Sequence, residues 1–77
     1  MTNKEMVSEI LGKYGAMTSK QIAVQLNIKM SVILTPSQVA GALRSLVVRG
    51  HAASSKDEHG HIRYWLTNEG VQLIRGG

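Results

Sequence analysis

The chain has 77 residues, 43% of them hydrophobic, no cysteine and a formal net charge of +4. That length admits one small domain, burying roughly 60–65% of its unfolded surface and stable by at most several kcal/mol. The absence of cysteine excludes a disulfide framework, a thiol nucleophile and a thiolate metal site, and no apolar run approaches a membrane span. The amino terminus lacks a basic segment followed by an apolar run, so no signal peptide is expected and the expected location is cytoplasmic, nucleoid-associated when bound.

In chain order, Thr2-Asn3-Lys4-Glu5 reads as a capping box, with Met6, Val7, Ile10, Leu11 and Tyr14 as one apolar stripe behind it and Gly15 as the stop. Ala16-Met17 is a short extended link. Thr18-Ser19-Lys20-Gln21 is a second box, opening a helix that buries Ile22, Ala23 and Leu26 and ends near Asn27. Thr35-Pro36-Ser37-Gln38 is a third, with proline at the first helical position; Val39, Ala42, Leu43 and Leu46 recur at helical spacing and Gly50 stops the helix. Two short runs follow, His51–Ser55 and His61–Leu66, around the polar turn Lys56–Gly60. Thr67 caps a last short helix. Residues 1–75 are expected to form a single domain and 76–77 a flexible tail.

Charge is unevenly distributed. No carboxylate occurs between Glu9 and Asp57, an interval that carries Lys13, Lys20, Lys29, Arg44, Arg49 and Lys56. Such a stretch creates the positive field that phosphate backbones select, and it also suits a plain solvated basic surface.

A capped helix feeding a two-stranded hairpin is the back half of a winged helix-turn-helix. From Gln21 to Gly70 the chain resembles the small winged-helix transcriptional regulators of bacteria, archaea and phages, in the style of the MarR and PadR groups. The residues that carry the resemblance are Gln21-Ile22-Ala23-Val24-Gln25-Leu26 as supporting helix and Val39-Ala40-Gly41-Ala42-Leu43-Arg44-Ser45-Leu46 as recognition helix. Arg49-Gly50 follows, and Arg63-Tyr64-Trp65-Leu66-Thr67-Asn68-Glu69-Gly70 is similar to an Arg-x-Tyr-x-Leu-Thr-x-x-Gly ending. The implied fold class is mainly α with a small β-hairpin (α+β), in the order helix, short strand, helix, helix, strand, wing, strand, helix. One departure is plain: Lys29-Met30-Ser31-Val32-Ile33-Leu34 lies between the two central helices, where that family has a tight turn. Its apolar content suits a turn folded back onto the core or, functionally, a subunit or partner surface.

The resemblance implies that the outer face of helix 36–49 enters the major groove of duplex DNA, with the 51–66 wing near the backbone. Burying Val39, Leu43 and Leu46 turns Ser37, Gly41, Arg44 and Val48 outward, flanked by Gln38, Ala40 and Ser45. Arg44 would hold guanine or a phosphate, Gln38 would pair with adenine, and the two serines would serve either strand. Gly41 is either a tolerated helix defect costing about 1 kcal/mol or a point of close approach. Thr18, Ser19, Lys20 and Thr35 would meet phosphate at helix starts, which they cap in any case. On the wing, Lys56 and Arg63 would contribute while Asp57 and Glu58 keep the tip clear. In the second strand Ile62, Tyr64 and Leu66 are assigned to the core, and Arg63 and Trp65 to the other face; Trp65 packs against the first helix or serves an interface.

Other readings are weaker. His59-Gly60-His61 with His51 suggests a metal site, but a turn carrying two histidines lacks a third convincing ligand, and Ser54-Ser55-Lys56 lacks a nucleophile elbow, so neither a metal nor enzyme activity is expected. Ile74-Arg75-Gly76-Gly77 matches the end of ubiquitin-like modifiers, but a capped helix at residues 3–14 is foreign to that fold. No cofactor or small-molecule ligand is expected. The main competitor is a protein-interaction adaptor using the 29–34 insertion, Val48 and Trp65, with Ile33, Val48 and Trp65 as its contact residues; a homodimer, if formed, would use the first helix, the insertion or Trp65.

Overall fold

The computed structural model describes Thr2–Gly76, with side chains described as far as Ile74. Four helices and three strands follow in the order α1 (Asn3–Tyr14), β1 (Met17–Thr18), α2 (Ser19–Met30), α3 (Pro36–Val48), β2 (Ala52–Lys56), β3 (Ile62–Leu66) and α4 (Asn68–Gly76).

All three capping boxes form. Thr2, Thr18 and Thr35 each accept the amide three residues on at 3.2 Å. Glu5, Gln21 and Gln38 return an acceptor to the cap amide at 3.1, 3.0 and 2.9 Å. Each reciprocal pair satisfies two backbone donors that a helix start leaves open. The third helix closes on Gly50 at φ 77°, with Gly50 donating to the Val47 carbonyl at 3.0 Å and His51 to Leu46 at 2.9 Å. That paired closure needs a left-handed residue, which glycine supplies without steric cost.

The second helix runs three residues past Asn27. Ile28, Lys29 and Met30 continue it, Lys29 lying in the last turn where a cation suits the helix dipole. Ser31 then ends it in the left-handed region, at φ 55° and ψ 35°. The insertion is thus split by its own side chains: Met30 and Leu34 pack against the core, whereas Ile33 between them is 85% exposed.

The core gathers Val7, Ile10 and Leu11 of α1, Met17 of β1, Ile22 and Leu26 of α2, Val39, Ala42, Leu43 and Leu46 of α3, and Ala52 of β2. The apolar stripes of α1 and α3 therefore meet over α2, with two ends differing from expectation. Tyr14 is 39% exposed at the end of α1, its ring 5.8 Å from the Lys13 ammonium. Ser8, a short polar side chain, is buried on the same helix.

The sheet is antiparallel in the order β1-β3-β2. Tyr64 pairs with Met17 on one side and Ser54 on the other, and Trp65 pairs with Ala53. Tyr64 and Leu66 pack on the core as the alternation requires, but Ile62 is 45% exposed. It faces Lys56 at the far end of the ladder, where β3 has run beyond β1 and the helices no longer cover it.

A knot of hydrogen bonds holds α3, the hairpin and α4 together. The Thr67 hydroxyl donates to the Gly50 carbonyl at 2.6 Å and accepts the Gly70 amide at 3.2 Å, while the Thr67 amide donates to the His51 carbonyl at 3.0 Å. Gly70 sits so close that an added Cβ would press on the His51 carbonyl oxygen and lie 3.1 Å from Leu66 Cδ2. The Leu-Thr-x-x-Gly sequence is a packing device. Of the tail expected at 76–77, Gly76 closes α4 and Gly77 lies outside the described residues.

Candidate nucleic-acid interface

The exposed side of α3 carries Ser37, Gln38, Ala40, Gly41, Arg44 and Val48, with Ser45 half-buried at its margin. The helix turns Val39, Ala42, Leu43 and Leu46 inward, and the 3.6-residue period leaves the others facing out. Nothing lies within 4 Å of a Cβ built on Gly41. Its lack of a side chain serves no contact inside the molecule.

Two carboxamides on these helix starts are already engaged. Gln38 directs its Oε1 to the Thr35 amide, and Gln21 does the same toward Thr18. A carboxamide that pairs with adenine must accept and donate at once; Gln38 already spends one of the two lone pairs of its Oε1 on the Thr35 amide and keeps the other beside its two donors. Thr18 and Thr35 accept through their hydroxyl oxygens, so each retains its own proton to donate outward.

The wing is organised by Asp57. Its Oδ1 accepts the amides of His59 and His61, both at 2.9 Å, and its Oδ2 accepts Arg63 Nε at 3.1 Å. Its backbone amide donates to the His61 carbonyl at 2.8 Å, and Gly60 turns the chain at φ 83°. The His61 amide above all, helped by the His59 amide and Arg63, holds the Asp57 carboxyl below the usual carboxylate range. Asp57 is consequently folded into the wing, and Glu58, 3.7 Å from His59 Nε2, is the acid left at the tip. The sequence signal for this was present: an aspartate commonly accepts the amide two residues on in a turn.

Between the first turn of α2 and the wing lies an open cleft of about 790 Å³, lined by Thr18, Ser19, Lys20 and Val24 on one side and by His61, Ile62, Arg63 and Tyr64 on the other. The fold thus brings the expected phosphate-facing residues of α2 beside Arg63. Lys56 stands exposed at the end of β2, and Trp65 is half-buried on the outer sheet face. Among the described residues Arg63 pairs with Asp57 and His59 stands 3.7 Å from Glu58, so Lys20, Lys29, Arg44 and Lys56 have no carboxylate at ion-pair distance. No group of three potential metal-ligating side chains occurs among the described residues, and no helix is long and apolar enough to cross a membrane.

No protein-family model matches the chain, and neither does any curated protein. Solved structures do. A transcriptional regulator from Clostridium thermocellum superposes with TM-score 0.85 at 18% identity, over 96% of this chain and 74% of its own. RosR of H. salinarum gives 0.86 at 22% identity, over 99% and 68%. MepR, a transcription regulator of the Staphylococcus aureus multidrug efflux pump MepA, gives 0.81 at 20% identity, over 96% and 52%. The fold is the winged helix of transcription regulators. The chain spans between about half and three quarters of these proteins' lengths.

Proposed function

We propose that this chain binds duplex DNA as a small transcriptional regulator, with α3 in the major groove and the wing along the backbone. The observation that carries the reading is the exposed side of α3, where Ser37, Gly41 and Arg44 stand on a surface whose neighbouring cations are unneutralised. Likeness of fold to transcriptional regulators supports it. Arg44 supplies a fork of donors for a guanine edge. The free amides of Ser19 and Lys20, the Thr18 and Thr35 hydroxyls, Ser45, Lys56 and the unshared end of the Arg63 guanidinium hold phosphates. Gln38 contributes through its cap and through the donors and the second Oε1 lone pair that the cap leaves open.

The test is a salt titration of binding to duplex DNA, followed by fluorescence anisotropy. Affinity should fall with log salt at a slope of about −0.9 per phosphate neutralised. Arg44→Ala should weaken binding by about 1–3 kcal/mol, and Lys20→Ala should flatten the slope by about one. Failure to retain duplex at low salt, or indifference to both substitutions, overturns the reading.

A second reading rests on Ile33 and Val48, which are 85% and 78% exposed. An adaptor would meet a protein partner, or a second copy of the chain, through these and Trp65. It would lose that partner on Ile33→Asp or Val48→Asp while showing no salt-dependent affinity for duplex.

A further inference from the structure

The DNA-binding reading leaves one row of apolar side chains without a task. Val24 and Ile28 stand one turn apart on the outer side of α2 and are 49% and 63% exposed. Residues four apart on a helix are surface neighbours, and Val24 shares the cleft beside the wing with Ile62, itself 45% exposed. The three form a track from α2 to the start of β3, unlike scattered single residues, which need no explanation. Phosphates and sugars offer these side chains nothing. Cations border the track: Lys20 one turn before Val24, Lys29 next to Ile28, and Arg63 next to Ile62. Neither lysine has a carboxylate at ion-pair distance among the described residues, and α2 carries no acid.

We infer that this track is the docking site of a protein partner presenting an acidic amphipathic helix. Its apolar side chains lie on Val24, Ile28 and Ile62, and its carboxylates face Lys20, Lys29 and the free end of Arg63. Charge complementarity sets the sign, because a basic helix would set like charges against the two lysines. An apolar row at i, i+4 with charges beside it is a pattern by which one helix recognises another. A second copy of this chain does not supply it. Of the five acids, Glu5 closes the cap of α1 and Asp57 is folded into the wing. Glu9, Glu58 and Glu69 remain, one each on α1, the wing tip and α4, so no helix of the chain sets a row of free carboxylates beside its apolar stripe. The site is distinct from Val48 on α3 and from Trp65, which alternation puts on the opposite face of β3 from Ile62.

The experiment selects peptides on the full chain from a displayed library of random sequences of about 16 residues, enough for roughly four helical turns. One enriched peptide is then measured by fluorescence anisotropy. Enriched sequences should carry leucine or isoleucine at i, i+4 spacing with glutamate or aspartate beside them. Ile28→Ser, at an exposed position that the fold does not depend on, should weaken that peptide roughly ten-fold, and Lys20→Ala roughly threefold. Val48→Asp should leave it unchanged. Part of the affinity should persist at about 0.5 M salt, where purely ionic attraction is screened. No enrichment, enriched peptides lacking acids or that spacing, complete loss in salt, or equal affinity in Ile28→Ser overturns the inference. A dimer of the chain alone that Ile28→Ser dissociates assigns the track to a second copy and overturns it as well. None of these measurements uses DNA, so the regulator reading stands or falls separately.

Discussion

Gly41→Ala separates what helix α3 needs for folding from what the proposed binding needs. Gly41 lies inside a 13-residue helix, and a Cβ at this position meets nothing within 4 Å. The substitution therefore brings no clash, and it removes the backbone freedom that glycine carries in the unfolded chain. The gain should be about 1 kcal/mol. For a chain of this size that raises the thermal midpoint by about 6 °C, read by circular dichroism at 222 nm or by calorimetry. If the helix approaches the floor of a major groove at this point, the same methyl occupies space needed by base edges, and duplex affinity should fall even as the protein becomes more stable. A midpoint that stays or falls would refute the packing argument. A higher midpoint with undiminished affinity would refute close approach at Gly41.

Other substitutions probe the frame. Gly70→Ala presses a methyl against the His51 backbone and places it 3.1 Å from Leu66 Cδ2, which should cost about 2 kcal/mol after the helix-propensity gain of alanine. Gly12→Ala is its control, because the methyl there meets the ends of flexible side chains at 3.2 and 3.3 Å; its midpoint should change far less in the same melts. Ser31→Gly relieves a left-handed serine at φ 55° and should stabilise by about 0.5–1 kcal/mol in urea titration, the glycine's greater unfolded freedom offsetting part of the relief. Asp57 has its folded-state pKa lowered by the His61 amide, the His59 amide and Arg63. Its contribution is thus present above the unfolded carboxylate pKa of about 3.9 and is lost as pH falls through the lower folded value. An NMR titration should show the His59 and His61 amides shifting together below that range, and Asp57→Asn should bring the shift to neutral pH.

Much of the architecture was legible because its signals are local. Threonine followed three residues later by glutamate or glutamine marks each of the first three helices, and each box closes within four residues. The stop at Gly50 and the cap at Thr67 are of the same kind. What sequence hid depends on distant partners. Asn27 resembles a helix end, but Met30 finds a place on the core and draws the helix onward. Ile62 keeps the alternation of its strand, yet the cover it needs stops short of it. In the candidate interface, the outward set Ser37, Gly41, Arg44 and Val48 followed from periodicity alone. Gln38 was harder to assign, because one residue type serves both as a cap partner and as a base reader. The folded helix start shows that one lone pair of its Oε1 serves the cap.

The Thr67 hydroxyl, bridging the Gly50 carbonyl and the Gly70 amide, gives the molecule a separation of duties. The angle between helix α3 and the hairpin is governed at their shared root, by one hydroxyl and two backbone groups. Side chains farther along the helix, at Ser37, Ala40 and Arg44, take no part in that joint. Under the proposed function, target preference is accordingly free to drift by exchange of those few residues while the chassis that presents them stays unchanged.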